Sequence, residues 1–195
     1  MTRHPVQLHI DRPTQTRRIE VVIRLVLLVA LGTIGCSSIY WLLYLALPAL
    51  AAVVITQKGG ERFLAEEGPR VVRVLRWFAS AYGYLWLLSD VLPTADGSPV
   101  DLQIEVGGRP TATSALLRLI YSLPVLILVV VLSLAGGFLW LIGAAYALVK
   151  QRMPGAIADF LALTLRVQFR LLAYHLSLVE RYPSLEDAGL LPAAT

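Results

Sequence analysis

The sequence predicts an all-α integral membrane protein built from two tandem repeats. Each repeat is a transmembrane helical hairpin followed by an amphipathic interfacial helix, with a short cytoplasmic β-strand before the hairpin. Composition is the first observation behind this. Hydrophobic residues make up 57% of the 195 and charged residues 15%, where a soluble domain carries about 25% charge. The second is the internal repeat. Val6-Gln7-Leu8-His9-Ile10 returns as Val100-Asp101-Leu102-Gln103-Ile104, and Leu75-Arg76, Tyr84, Leu88, Asp90 and Pro93 return ninety residues on as Leu165-Arg166, Tyr174, Leu178, Glu180 and Pro183. The third is a pair of runs without a single charge, Leu25 to Gln57 and Leu119 to Val149. A unit repeated around an apolar centre is the signature of a duplicated membrane protein.

The elements follow in chain order. The first repeat covers 1–93, with a strand at 6–10, a hairpin at 19–57 and an amphipathic helix at 70–91. The second covers 99–187, with a strand at 100–106, a hairpin at 114–150 and an amphipathic helix at 155–181. Residues 188–195 form a loose tail. The strands alternate apolar and polar residues, and they either pair with each other or lie on their own helices. Pro93 to Ser98, with Asp96-Gly97 inside it, marks the boundary between the halves.

The uncharged runs are longer than the roughly 20 residues of one crossing and shorter than the roughly 40 of two. Charge placement favours hairpins. A single crossing by each run would put Lys58, Arg62, Arg70, Arg73, Arg76, Arg109 and Arg118 outside, against the positive-inside rule. With hairpins turning at Gly35-Cys36-Ser37-Ser38 and Ala135-Gly136-Gly137, every Lys and Arg falls on one side, and Arg24 and Arg118 snorkel back to the headgroups. A re-entrant hairpin that stops short of full crossing is the alternative. The polar start, with Arg3, His4, Asp11 and Arg12, reads as the flank of a retained anchor. These features predict a multi-pass membrane protein with both termini cytoplasmic.

The stretch Gln151-Arg152-Met153-Pro154-Gly155-Ala156-Ile157-Ala158-Asp159-Phe160, then Arg166, Arg170, Tyr174 and Val179-Glu180-Arg181-Tyr182-Pro183, resembles the domain-of-unknown-function 4389 family of bacterial membrane proteins. Pro5-Val6-Gln7-Leu8 and Pro99-Val100-Asp101-Leu102 are similar to the family's opening. The first half departs from the pattern, with Gly59-Gly60 for the Pro-Gly and Asp90-Val91-Leu92-Pro93 for the Tyr-Pro close. The resemblance implies a multi-pass inner-membrane protein. It carries no established activity and so transfers no catalytic residue.

The candidate lipid- or partner-binding residues are Arg73, Arg76, Trp77, Asp159, Arg166 and Arg170. The arginines form matching stripes on the two amphipathic helices, where attraction to anionic lipid is worth about 1 kcal/mol per basic residue. Trp77 stands at headgroup depth with Tyr82, Tyr84, Trp86, Tyr174 and Tyr182. Asp159 lies in the first turn of its helix, where the helix dipole favours a carboxylate, and pairs with Arg152 or Arg166. Glu180 pairs with Arg181.

His4, His9 and His175 lack metal-ligand spacing. The single Cys36 excludes an internal disulfide and reads as a packing residue. No nucleotide or nucleophile motif occurs, and the apolar runs carry no mid-membrane charge of the kind that pumps use. The expectation is a non-catalytic protein without metal or cofactor, with membrane lipids and other integral membrane proteins as partners and no nucleic acid. It acts as an accessory subunit or scaffold of a larger complex. The alternative is a lipid-interacting module with a basic ledge.

Overall fold

The computed structural model describes residues 4–13, 15–33, 36–93 and 99–183, with side chains at all of these except 31–41 and 43. The proposed tip at Gly35 to Ser38, the turn at 94–98 and the tail at 188–195 lie wholly or partly outside the described residues. The described elements are β1 (Val6–Ile10), α1 (Arg18–Thr33), α2 (Cys36–Lys58), α3 (Gly60–Glu66), α4 (Gly68–Leu85), β2 (Val100–Ile104), α5 (Ala112–Tyr121), α6 (Leu123–Lys150) and α7 (Gly155–His175). The chain is mostly helical, with one small sheet.

β1 and β2 pair antiparallel, with Val6 opposite Ile104, Leu8 opposite Leu102 and Ile10 opposite Val100. Val6, Leu8, Val100 and Leu102 are buried on α4 and α7, as period-two strands require. The packing is crossed, for β2 lies on α4 and β1 lies on α7. Bonds from Glu105 N to Pro5 O and from Asp11 N to Pro99 O flank the ladder. They leave the Val6 and Leu102 carbonyls facing outward, and arginines cap both edges. Arg170 Nε donates to Val6 O at 3.3 Å and Arg76 Nε to Leu102 O at 2.9 Å. Side chains thus supply the bonds that a two-stranded sheet lacks at its rims.

Three layers result. The sheet lies on α4 and α7, which lie in turn under α1, α2, α5 and α6. The main core joins sheet and helices through Leu102, Leu161, Leu165, Phe169 and Leu178. β2 and α4 approach most closely at Gly83, where an added Cβ would lie 2.6 Å from Val100 Cγ2. Gly83→Ala should therefore lower stability by about 1–2 kcal/mol. Overpacking costs about 1–3 and better helix propensity returns up to about 1. Thermal unfolding in detergent checks this, and adding Val100→Ala should restore the loss.

The proposed hairpin at 114–150 does not form. α6 runs without interruption through Ala135-Gly136-Gly137. Gly136 is a contact surface, not a turn, because a Cβ there would sit 3.5 Å from Leu161 and 3.6 Å from Trp86. The break lies at Ser122, where α5 ends and α6 begins with a proline in its first turn. Ser122 N still donates to Arg118 O, and Leu126 N to Ser122 O, so α5 and α6 form one helix kinked at Pro124. α5 itself starts at a capping box in which Thr111 and Ser114 bond reciprocally at 3.0 and 3.1 Å.

In the first half, α1 and α2 are described on either side of 34–35. Thr16 N reaches Gln151 O at the far end of α6, whereas Tyr44 in α2 reaches Leu119 O at the end of α5 at 2.8 Å. At the end of α2, Gly60 abuts Pro110. α1 and α2 thus follow α6 and α5 end to end in the antiparallel sense. The helix that folds back on α6 is α7. Leu161 faces Gly136, Gln168 Nε2 donates to Ser133 at 2.9 Å and His175 meets Ser122 at 2.6 Å.

Among the described residues one helix, α6, is long and apolar enough to cross a membrane. Its burial is two-sided. Leu126, Val129, Leu132, Gly136, Trp140, Gly143 and Ala147 are buried, and Ile127, Val131, Leu134, Phe138, Leu141 and Val149 are exposed, Phe138 to 71%. These two sets are opposite stripes of one helix. Exposed Val22, Val26 and Val29 on α1, Leu42, Leu45, Leu50 and Val53 on α2, and Leu116 and Ile120 on α5 continue the apolar outer surface.

Candidate functional site

The six singled-out residues do not converge on one site. Arg73 and Trp77 are exposed on α4. Arg76 is exposed but tied to the β2 edge. Asp159 is exposed, and its partner is Arg12 at 2.6 Å, neither Arg152 nor Arg166. The correction has a simple cause. Arg152 and Arg166 are near in sequence, but the segment after β1 runs beside the start of α7 and brings Arg12 there. Glu180 accepts a bond from the Arg109 backbone at 2.6 Å, set by the turn at Gly108, whose φ of 107° favours glycine. Arg166 and Arg170 do meet, in a cleft. α7 is buried along most of its length, so its arginines turn to the sheet and do not line an open ledge.

Two arginines expected at the headgroups are buried inside the protein. Arg24 is 0% exposed. Its Nη2 pairs with Glu20 at 3.0 Å and Asp90 at 3.3 Å, and its guanidinium lies 4.0 Å from the Tyr84 ring centroid. Among the described residues its Nε and Nη1 have no hydrogen-bond partner. Burial raises the Asp90 pKa, and the adjacent Arg24 offsets only part of that rise. Arg118 is also buried. Its Nη1 donates to Tyr174 O and Val179 O, both at 2.7 Å, and it stacks 4.6 Å from the Tyr174 ring. Tyr84 and Tyr174 are repeat mates in the sequence, as are Leu87 and Ser177. The latter two both adopt left-handed conformations, at φ 60° and 57°, as their helices close.

A polar centre lies beside Arg118. His175 Nε2 and Ser122 Oγ are 2.6 Å apart, Tyr44 OH is 3.2 Å from Ser122 Oγ, and the Tyr44 and His175 rings are 4.8 Å apart. His175 is 1% exposed. Burial, helped by the Arg118 charge, lowers its pKa to about 4, so the imidazole is neutral at pH 7 and the pair is a structural bond. A base whose folded pKa lies below its unfolded value binds fewer protons when folded. The stability this maintains is complete above about pH 6.5 and is lost as pH falls toward 4. The gap between wild type and His175→Gln should therefore shift by about 3 kcal/mol against wild type between pH 6.5 and 4, read from denaturant unfolding at each pH.

Among the described residues, two of the surface cavities adjoin α7. The first is an apolar groove of about 360 Å³ between α4 and α7, lined by Val74, Phe78, Tyr82, Phe169 and Leu172, with Arg70 on its rim. The second is a polar cleft of about 470 Å³ along the sheet, lined by His4, Gln7, His9, Asp101, Arg166 and Arg170, among others. At the end of α2, exposed Lys58 reaches Glu66 and Glu67 at 2.9 and 2.7 Å. Hydrogen bonds to these carboxylates, Glu67 first, raise the Lys58 pKa, and the bond to Lys58 lowers both of theirs. Among the described residues no group of three or more His, Cys, Asp or Glu could hold a metal ion.

Layered helices over a small sheet define a mostly helical protein, with one helix among the described residues long and apolar enough to cross a membrane. Residues 112–185 match the family described as "Domain of unknown function (DUF4389)", which takes in α5, α6 and α7 and the resembling stretch from Gln151 to Pro183, but neither of the two family-like openings at Pro5 and Pro99. No curated protein and no solved structure matches the chain. Sequence reasoning missed the kink at Ser122-Leu123-Pro124, although a serine two residues before a proline is a helix-start signal. It also missed the His175–Ser122 bond, which no spacing announces.

Proposed function

We propose that this is a bacterial inner-membrane protein made of two tandem repeats. It sits in the cytoplasmic leaflet with its long helices along the membrane and serves as a non-catalytic accessory subunit or scaffold for a larger membrane complex. The layered split of surface chemistry carries this reading. The outer faces of α1, α2, α5 and α6 expose many large apolar side chains, among them Val26, Leu45, Ile120 and Phe138, and large exposed apolar patches mark membrane or partner contacts. The sheet, two layers away, presents His9, Asp101, Gln103 and Glu105 to water.

The sheet runs beside α7, from the Arg12–Asp159 pair to the Arg170–Val6 bond, and α7 runs beside α6. If α6 crossed the bilayer, the polar sheet would stand in hydrocarbon, where strand edges and charged faces are not tolerated. With α5 and α6 along the membrane, Arg109 before α5 and Lys150 at the end of α6 both reach the headgroups, and exposed Trp77 and Tyr82 stand at the interface. The matched strands, the matched arginine–tyrosine stacks and the left-handed Leu87 and Ser177 support the duplication.

Purification of the tagged protein in mild detergent, with mass spectrometry of protein and lipid, tests the function. A stoichiometric membrane complex is expected, and a protein that comes away alone contradicts it. The groove between α4 and α7 favours a second reading, a lipid module that holds one acyl chain under an anionic headgroup at Arg70. In that case the lone protein carries enriched anionic lipid.

A further inference from the structure

From the polar cleft along β1 we infer a binding site for a phosphate group. Arg166 and Arg170 stand one turn apart on α7 and so project from one side of it. Both line the cleft, with Gln7, His4 and His9. Arg170 is 7% exposed and anchored on Val6 O, so its guanidinium is held in place by the sheet edge. Arg166 is half-buried and has no hydrogen-bond or ion-pair partner among the described residues. A half-buried guanidinium facing a polar cavity presents several unused donors in a plane, which suits the oxygens of a phosphate. Gln7 can add a neutral donor.

Asp101 is the one carboxylate on the lining. Gln103 Nε2 donates to it at 2.7 Å, and it keeps the cleft from being indiscriminately basic. His9 pairs with Asp11 at 3.1 Å. Two arginines against one aspartate leave the cleft net positive. The phosphate is either free, on a small soluble anion, or carried on a lipid headgroup. The site does not depend on the accessory role proposed above, since it lies on the sheet and not on the apolar outer face.

Calorimetric titration of the full-length protein in nonionic detergent tests this, with inorganic phosphate and pyrophosphate as probes in a chloride buffer. Saturable binding is expected. Arg166→Gln should weaken it about tenfold or more without moving the ligand-free melting temperature, because Arg166 holds nothing else. Asp101→Asn should strengthen it several-fold. If neither probe binds in detergent, nanodiscs of neutral lipid with and without phosphatidic acid provide the second arm. Binding that needs phosphatidic acid and falls with Arg166→Gln assigns the phosphate to a lipid headgroup. No saturable binding in either arm, or binding indifferent to both Arg166→Gln and Asp101→Asn, overturns the site.

Discussion

Replacing Arg118 with methionine should destabilise the fold by about 3–5 kcal/mol, the largest single-residue effect expected here. Arg118 closes α7 onto α5 by satisfying the Tyr174 and Val179 carbonyls at 2.7 Å each. These carbonyls lie where the chain leaves α7, and water does not reach them easily. Each buried acceptor left bare costs about 1–3 kcal/mol, and the lost stack on Tyr174 adds about 0.5–2. Methionine fills much of the volume, so the loss reports the polar contacts. Arg118→Lys should fall between, because one nitrogen makes both bonds and an ammonium can replace it, whereas the planar stack on Tyr174 is lost. Unfolding in detergent, followed by helical circular dichroism, measures the series. A methionine variant as stable as wild type would remove Arg118 from the account of the fold.

Arg24→Met should cost less, about 2–3 kcal/mol, although Arg24 is the more deeply buried of the two. Only its Nη2 carries ion pairs, to Glu20 and Asp90. Two of its other nitrogens have no hydrogen-bond partner among the described residues. Methionine therefore recovers part of the desolvation cost of a buried charge. What remains is the price of leaving two partly exposed carboxylates side by side. Adding Asp90→Asn to Arg24→Met should return about half the loss, and the double-mutant cycle isolates the coupling. If the double variant is less stable than Arg24→Met alone, the pairing with Asp90 is not what holds α1 to the end of α4.

Much of the fold was legible in the sequence, and its failures have a common cause. β1 at Val6–Ile10 was read with correct bounds, because period-two alternation is unambiguous in a short polar context. β2 ends at Ile104, two residues before the expected 106, where Gly107 turns toward Leu178. The helices expected at 70–91 and 155–181 appear as Gly68–Leu85 and Gly155–His175. Each ends early because Leu87 and Ser177 turn left-handed, a closure that the hydrophobic pattern runs straight past.

The hairpin at 114–150 was misread because Gly136-Gly137 looks like a turn in an apolar run. In the fold Gly136 lets Leu161 and Trp86 approach, and an apolar helix keeps its internal hydrogen bonds where nothing else can satisfy them. Arg24 and Arg118 were read as headgroup residues by charge alone. Their aromatic partners, Tyr84 and Tyr174, lie far along the chain, so no local pattern announces them. The candidate stripe of arginines was legible as a stripe but not in its roles. Arg76 and Arg170 cap the sheet edges, and only the three-dimensional fold shows Arg166 facing a cleft.

The central claim is that α6 lies along the membrane. Single cysteines placed in a Cys36→Ala background test it most directly, at Thr111 before the kinked helix, at Gly137 in its middle and at Gln151 beyond its end. Intact cells and inverted vesicles are labelled with a membrane-impermeant maleimide. The account predicts that Thr111→Cys and Gln151→Cys react only from the cytoplasmic side and that Gly137→Cys reacts from neither. Labelling of Thr111→Cys and Gln151→Cys from opposite sides, or of Gly137→Cys from the periplasm, would contradict it.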